Sequence, residues 1–292
     1  MKKSIFVLLV LILAMSFSIT IVDDSFTVVK VQNVPNRVIS AAPAITEMLF
    51  YMGFGNKIIG VTNYDNYPAQ VKKIKKVGQM SPLNVEAIAS LKPDMIFAFG
   101  GFQMGDVAKL RKYGYTVVVI NPKSIEGIVK DMVKLSVIMG DRSKSDKVIK
   151  LYNNVIATAK KAATVDYFKR PKVLIGSNYE PIYVPCEGSF LNEAIAYAGG
   201  RNISADLIGA NGWTPVNNEF IISKNPNVVL IPSFGAMKSD AKKFMNNSHW
   251  KILSAVRNGK VYAINSDILF RPGPRLLEFI PELYKILYNK GS

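Results

Sequence analysis

The side chains that most often carry catalysis are scarce in this 292-residue chain, which has His249 as its sole histidine and Cys186 as its sole cysteine. His249 sits in Asn247-Ser248-His249-Trp250, a polar stretch leading into a helix, where a capping or surface role is favoured over that of a ligand. Cys186 lies in Val184-Pro185-Cys186-Glu187-Gly188 with no histidine beside it to take its proton, so an inert thiol is expected. One cysteine cannot close an intramolecular disulfide, and one histidine cannot build a His-rich metal site. The patterns Cys-x-x-Cys, His-Glu-x-x-His, Gly-x-Gly-x-x-Gly, Gly-x-x-x-x-Gly-Lys-Ser/Thr and Gly-x-Ser-x-Gly do not occur. Zinc hydrolases, P-loop enzymes, the usual dinucleotide enzymes and elbow-type serine hydrolases are thereby disfavoured. No catalytic residue, resident metal or cofactor is expected. The enzymatic alternative, an exported α/β hydrolase, would depend on His249 as its base.

What remains is binding chemistry. Tyr64, Tyr67, Phe99, Phe102, Tyr179, Tyr183, Trp213, Phe234 and Phe270 all fall in segments after strands or next to Pro and Gly. Singly, each is an ordinary loop packer. Together, outside the carboxyl ends of α/β sheets, they would line a cleft for a large flat or apolar-faced ligand. Arg271-Pro272-Gly273-Pro274-Arg275 is stiffened by its prolines, so its arginines project in fixed directions, and one of them could hold a phosphate or carboxylate. The competing reading of this segment is a helix start with Pro274 near the first position.

Two carboxylates stand out through an internal repeat. SPLNVEAIASLKPDMIFAFG (Ser81–Gly100) aligns without a gap to TPVNNEFIISKNPNVVLIPS (Thr214–Ser233), matching Pro82/Pro215, Asn84/Asn217, Glu86/Glu219, Ile88/Ile221, Ser90/Ser223 and Pro93/Pro226. Each copy has an Asn to cap a helix, a Glu in the first turn, a Pro stop and a buried strand. The plain reading of Glu86 and Glu219 is pairing with the helix dipole. The sharper one is a pair of equivalent acidic points offered to a two-fold partner with matching cations.

The elements that must position these residues alternate. Strands are expected at 37–40, 58–61, 95–99 and 116–120, with helices at 46–52, 85–91, 108–113 and 125–139. The second half repeats the alternation, with strands at 172–175, 228–231 and 261–264 and helices at 191–198 and 276–289. Strands separated by helices imply parallel pairing in an α/β layered fold. Between the halves, Arg142–Phe168 contains neither Gly nor Pro and carries apolar residues at three- and four-residue spacing, which predicts one long helix of about 40 Å.

Composition bounds the rest. The chain is 49% hydrophobic and 20% charged, a globular balance, with a formal net charge of +16. The lysines are spread, with one small cluster at Lys72, Lys73, Lys75 and Lys76, so a solvated basic face is favoured over a nucleic-acid groove. Lys2 and Lys3 precede an uncharged run from Ser4 to Val22, with small residues at Ala14, Ser16 and Ser18 spaced as a signal peptidase accepts them. The run reads as an export signal or, uncleaved, as an anchor long enough to span a bilayer. It contains no cysteine for lipid modification.

Five segments, in order, resemble one family: RVISAAPAITEMLFYMGFGNKIIGVTNYDNYP (Arg37–Pro68), NVEAIASLKPDMIFA (Asn84–Ala98), GSFLNEAIAYAGGRNI (Gly188–Ile203), GWTPVNNEFIISKNPNVVL (Gly212–Leu230) and RPGPRLLEFIPEL (Arg271–Leu283). They are similar to the substrate-binding proteins of vitamin B12 and iron-chelate ABC importers, the cobalamin binders above all. The resemblance implies two α/β lobes joined by a single long rigid helix: a leader or anchor at 1–22, lobes at 35–140 and 169–292, and the spacer at 141–168. It implies a monomer, a periplasmic or extracytoplasmic place, and cobalamin, a ferric siderophore or heme as bound ligand. Tyr64 and Trp213 would line the cleft, with Phe102, Phe234 and Arg271 completing it. Met80 stands where the cobalamin binders carry a tryptophan. Heme binders of the family use Tyr or His as an axial ligand, which brings Tyr183 into the set. Glu86 and Glu219 would meet arginines of the permease dimer.

Overall fold

The computed structural model describes residues 18–176, 181–235 and 237–288. Tyr179, most of the apolar leader and Asn289 lie outside them. The first half contains an antiparallel hairpin, β1 (Ile19–Val22) with β2 (Val28–Val31), followed by β3 (Val38–Ser40), α1 (Pro43–Tyr51), β4 (Ile58–Val61), β5 (Lys75–Lys76), α2 (Val85–Ser90), β6 (Met95–Phe99), α3 (Met104–Lys112), β7 (Val117–Ile120) and α4 (Ile125–Ile138). α5 (Ser145–Ala163) leads into the second half: β8 (Lys172–Ile175), β9 (Ile182–Pro185), α6 (Phe190–Tyr197), β10 (Arg201–Asn202), β11 (Trp213–Val216), α7 (Asn218–Lys224), β12 (Val228–Ser233), α8 (Met237–Asn246), α9 (Ser254–Arg257), β13 (Val261–Asn265), α10 (Ser266–Phe270) and α11 (Pro274–Tyr288).

Two separate parallel sheets result, one from each half, ordered β5-β4-β3-β6-β7 and β10-β8-β12-β13. Alternation along single strands explains how they are layered. In β6, Met95 and Phe97 enter one hydrophobic core while Ile96 and Ala98 enter another. In β12, Val228 and Leu230 join that same first core, and Val229 and Ile231 turn to a third. Side chains on a strand point to opposite faces in turn, so each sheet is buried on both sides, as continuous apolar strands require. The core shared by the two sheets also takes Leu135 of α4, Val148, Leu151 and Val155 of α5, Leu191 of α6 and Leu276, Leu277 and Ile280 of α11. A helical layer therefore lies between the sheets and joins them.

The spacer helix is shorter than the sequence suggests. Arg142–Lys144 and Tyr167–Lys169 are separate 3₁₀ turns, and α5 itself runs for 19 residues, about 28 Å. Asp141 accepts from the Ser143 backbone N–H at 3.1 Å, and Asp166 from that of Phe168 at 2.9 Å. Such side-chain bonds to the local backbone compete with helix continuation even where no Gly or Pro intervenes.

The hairpin is a further departure. The uncharged run expected to end at Val22 finishes inside β1, and Asp23 and Asp24 do more than stop it. The Asp23 carboxylate accepts from the Val119 N–H at 2.9 Å and from Arg111 Nη2 at 2.5 Å, while the Asp24 N–H donates to Val119 O at 3.1 Å. Together they close the open edge of β7. Burial alone would raise the Asp23 carboxyl, but hydrogen bonds from Ser25, Val119 and Thr27 hold it below the usual range.

Candidate functional site

In both sheets the strand order reverses beside the strand that starts it. The switch falls between β3 and β6 in the first sheet and between β8 and β12 in the second. Ligands of open α/β sheets gather outside the carboxyl ends of strands at such points. A cavity of about 640 Å³ lies there, lined by Phe99, Gly100, Gly101 and Phe102 after β6, by Asn121, Pro122 and Lys123 after β7, and from the second half by Tyr183, Ser189, Phe190, Asn211, Trp213, Pro232, Phe234, Phe270 and Pro272. Both halves contribute walls, so the cavity exists only when the two are assembled.

Its walls are aromatic. Trp213 meets Phe270 edge-on at 5.5 Å between ring centroids, and Phe234 lies 6.3 Å from Phe270. Opposite them in the chain, Phe99 and Phe102 stack at 6.3 Å. Phe102, Tyr183 and Phe234 are more than half exposed. A cluster of large exposed rings on a protein surface marks an interaction site more often than a packing accident. Among the described lining residues Lys123 is the one charged side chain, and the Tyr183 hydroxyl, Ser189, Asn121 and Asn211 supply other polar groups. Such walls can stack on a flat ligand and pair with one or two polar or anionic groups at its edge.

Gln103, which the sequence reading passed over, holds the loop after β6 in place. Its side chain is buried, donating from Nε2 to Ala41 O at 2.8 Å and Met80 O at 2.7 Å and accepting the Phe99 N–H through Oε1 at 2.6 Å. One amide thus ties the carboxyl ends of β3 and β6 to the segment before α2. Gly100 is flush against the next loop, where a Cβ would come within 2.4 Å of Asn121. Phe190 lines the cavity too, and no expectation named it, because it reads as an ordinary first residue of an amphipathic helix.

Of the expected ligand contacts, Phe102, Tyr183, Trp213 and Phe234 are brought together in this cavity, and Tyr64, Met80 and Arg271 are not part of its lining. Met80 is partly buried against the core, with its carbonyl engaged by Gln103. Tyr64 is exposed, and its carbonyl accepts Arg271 Nη2 at 3.2 Å. Arg271 is expected to add a polar contact to the ligand. Here the carboxylates it holds are the protein's own, Glu47 at 2.9 Å and Asp267 at 2.8 Å. Arg275 completes a bidentate pair with Glu47 and lies over the Tyr67 ring at 4.3 Å. Burial pulls the Arg275 guanidinium down, but the hydrogen bonds to Glu47 raise it above its ordinary value.

Glu47 belongs to α1, Arg275 to the first turn of α11 and Arg271 to the short connection between α10 and α11, so this network pins one half to the other beside Pro272. A second pin lies by Phe190 and Lys123, where Glu193 of α6 accepts the Ile125 N–H at the start of α4 at 2.7 Å. The cavity sits between the two pins.

The repeat seen in sequence is a repeat in space. Asn84 caps α2 by accepting the Ala87 N–H at 2.9 Å, and Asn217 caps α7 through the Phe220 N–H at 2.9 Å. Ser90 and Ser223 each bond back three residues at 2.8 Å, and Ile88 and Ile221 are fully buried. Glu86 and Glu219 are exposed in the first turns, and neither makes an ion pair among the described residues. Each helix lies on the return of the chain from the carboxyl end of one parallel strand, β5 or β10, to the amino end of the next, β6 or β12. Both glutamates therefore stand toward the carboxyl ends of the sheets, the side that opens the cavity.

His249 is exposed in a 3₁₀ turn capped by Asn247, and Cys186 is buried, with burial pushing its thiol above its usual range. No group of His, Cys, Asp and Glu able to hold a metal occurs among the described residues.

Residues 38–268 match the family described as periplasmic binding protein. An uncharacterised ABC transporter substrate-binding lipoprotein of Bacillus subtilis, YvrC, is 30% identical over 278 residues, 93% of this chain and 86% of that one. A vitamin B12-binding protein of Vibrio parahaemolyticus is 29% identical over 261 residues, covering 88% of this chain and 92% of that one. The crystal structure of the periplasmic vitamin B12-binding protein BtuF of Vibrio cholerae superposes with a TM-score of 0.73 at 27% identity, over 87% of this chain and 97% of that one.

Proposed function

The chain belongs to the periplasmic binding protein family, and on that premise we propose that it is an extracytoplasmic receptor for a metal chelate, cobalamin or a ferric siderophore, which it hands to an ABC permease. It is a binding protein and not an enzyme. The observation that carries the ligand class is the aromatic cavity at the carboxyl ends of both sheets, with Trp213, Phe234 and Phe270 on one side and Phe99 and Phe102 on the other. A large ligand with flat or apolar faces gains most from such walls, and Lys123 can meet an anionic or carbonyl-rich edge. The two pins, Glu47 with its arginines and Glu193 with α4, hold the halves at a set separation. Little ordering is then left to offset on binding, and affinity comes from preorganisation. Glu86 and Glu219, on the side where the cavity opens, serve as the docking points for the permease.

The test is titration with cyanocobalamin, ferric siderophores and hemin, followed by calorimetry and by the fluorescence of Trp213. Saturable heat and quenching with cyanocobalamin or one siderophore support the reading. Silence with all three overturns it. A Soret band on adding hemin that is lost in Tyr183→Phe would assign heme instead.

A further inference from the structure

The β1–β2 hairpin carries an apolar outer face that the cavity and the docking glutamates leave unused. Val29 and Val31 turn inward to the core, with Ile19 and Ile21 packed against it. The alternate residues turn out, and Val22 and Val28 face each other across the strands, 57% and 66% exposed. Phe26, at the tip, is 90% exposed and has φ of +60°. That backbone region suits Gly or Asn. A bulky aromatic there is strained, and strain of this kind is kept where the side chain has a use.

Two further observations say what covers this face. The sequence from Ser4 to Val22 has no charged side chain and enters the hairpin without a linker. The hairpin's own acids are turned away from the outer face. Asp23 is paired with Arg111, and Asp24 with Lys134, on the protein side. The outer face thus offers Phe26, the two valines, Thr20 and Lys30, with no negative charge among them.

We propose that the outer face of the β1–β2 hairpin, with Phe26 as its wedge, rests on the surface of a lipid bilayer and orients the receptor beside it. Phe26 enters the interfacial region, as exposed aromatics of membrane-facing segments do, and Lys30 meets anionic headgroups. The apolar run supplies proximity, which turns a weak patch into an effective contact. The proposal does not depend on which ligand the cavity takes.

The experiment uses the full chain with Phe26→Trp, added to phosphatidylcholine vesicles containing phosphatidylglycerol and brominated lipid. Phe168→Trp is the control, an exposed aromatic site before β8, at the amino end of the second sheet. Both variants keep the apolar run and both native tryptophans, so those contributions cancel. The expected result is a blue shift and loss of emission for Phe26→Trp beyond the control, both abolished by adding Val28→Glu, with unchanged circular dichroism. Equal quenching of the two variants overturns the proposal. So does a dimer, seen by sedimentation without vesicles and lost in Phe26→Ser, which would assign the face to a second copy.

Discussion

Arg275 grips Glu47 through two parallel hydrogen bonds, Nε to Oε2 at 2.8 Å and Nη2 to Oε1 at 2.6 Å, although the two residues come from opposite halves of the chain. Arg271 shares the same carboxylate, whose side chain is 1% exposed. Removing one partner of a buried pair strands the other charges, at a cost of about 3–5 kcal/mol. Glu47→Ala is therefore expected to lower the urea midpoint far more than an exposed change such as Glu126→Ala. A shift no larger than that of Glu126→Ala would show that the pin does not hold the halves together.

Asp131 gives the protein a pH dependence of unusual sign. Burial first, and the neighbouring Asp24 carboxylate next, push its carboxyl up to about 7 against the opposing pull of Lys134. Its Oδ2 atom has no hydrogen-bond partner among the described residues. An unfolded aspartate titrates near pH 3.9, so between about 4 and 7 the folded state binds the extra proton and stability falls as pH rises. Above that window the penalty is complete. Asp131→Asn should raise Tm over the wild type by a few degrees at pH 8, by clearly less at pH 5, and not at all below about pH 4. A gain of equal size at pH 8 and at pH 5 would contradict the assignment.

Trp213 forms the edge-on contact with Phe270 in the cavity wall. If it stacks on the chelate, Trp213→Ala weakens binding roughly ten- to hundredfold, the range expected of an aromatic anchor. Isothermal titration against Phe168→Ala measures this, with the control binding like the wild type.

Glu86 and Glu219 occupy twin first turns, each below an asparagine cap. Loss of either carboxylate costs about 0.3–1 kcal/mol of helix-dipole pairing, which the fold tolerates. The double variant Glu86→Ala with Glu219→Ala is expected to keep full ligand affinity and lose uptake through the permease in reconstituted vesicles. Lost ligand affinity in the folded variant would move these residues from docking to binding.

How much of this was legible in the sequence follows from the range of the forces involved. The alternation of strands and helices, the twin segments Ser81–Gly100 and Thr214–Ser233, and their Asn caps were readable directly, because propensity, periodicity and capping act within a few residues. The same locality misled at Arg142–Phe168, where the apolar spacing carried on past Asp141 and Asp166 and hid their competing turns. The hairpin was missed because its first strand reads as the tail of an apolar leader and its second, Val28–Val31, is too short to stand out on its own. Tertiary structure alone decided which aromatics share a cavity, bringing Phe190 to Phe99 and leaving Tyr64 outside. It also decided that Arg271 meets Glu47, 224 residues away, in place of an external anion. Such pairings depend on how two finished sheets pack around the helices between them. No short stretch of chain encodes that packing, since it is set by the summed burial of surfaces far apart in sequence.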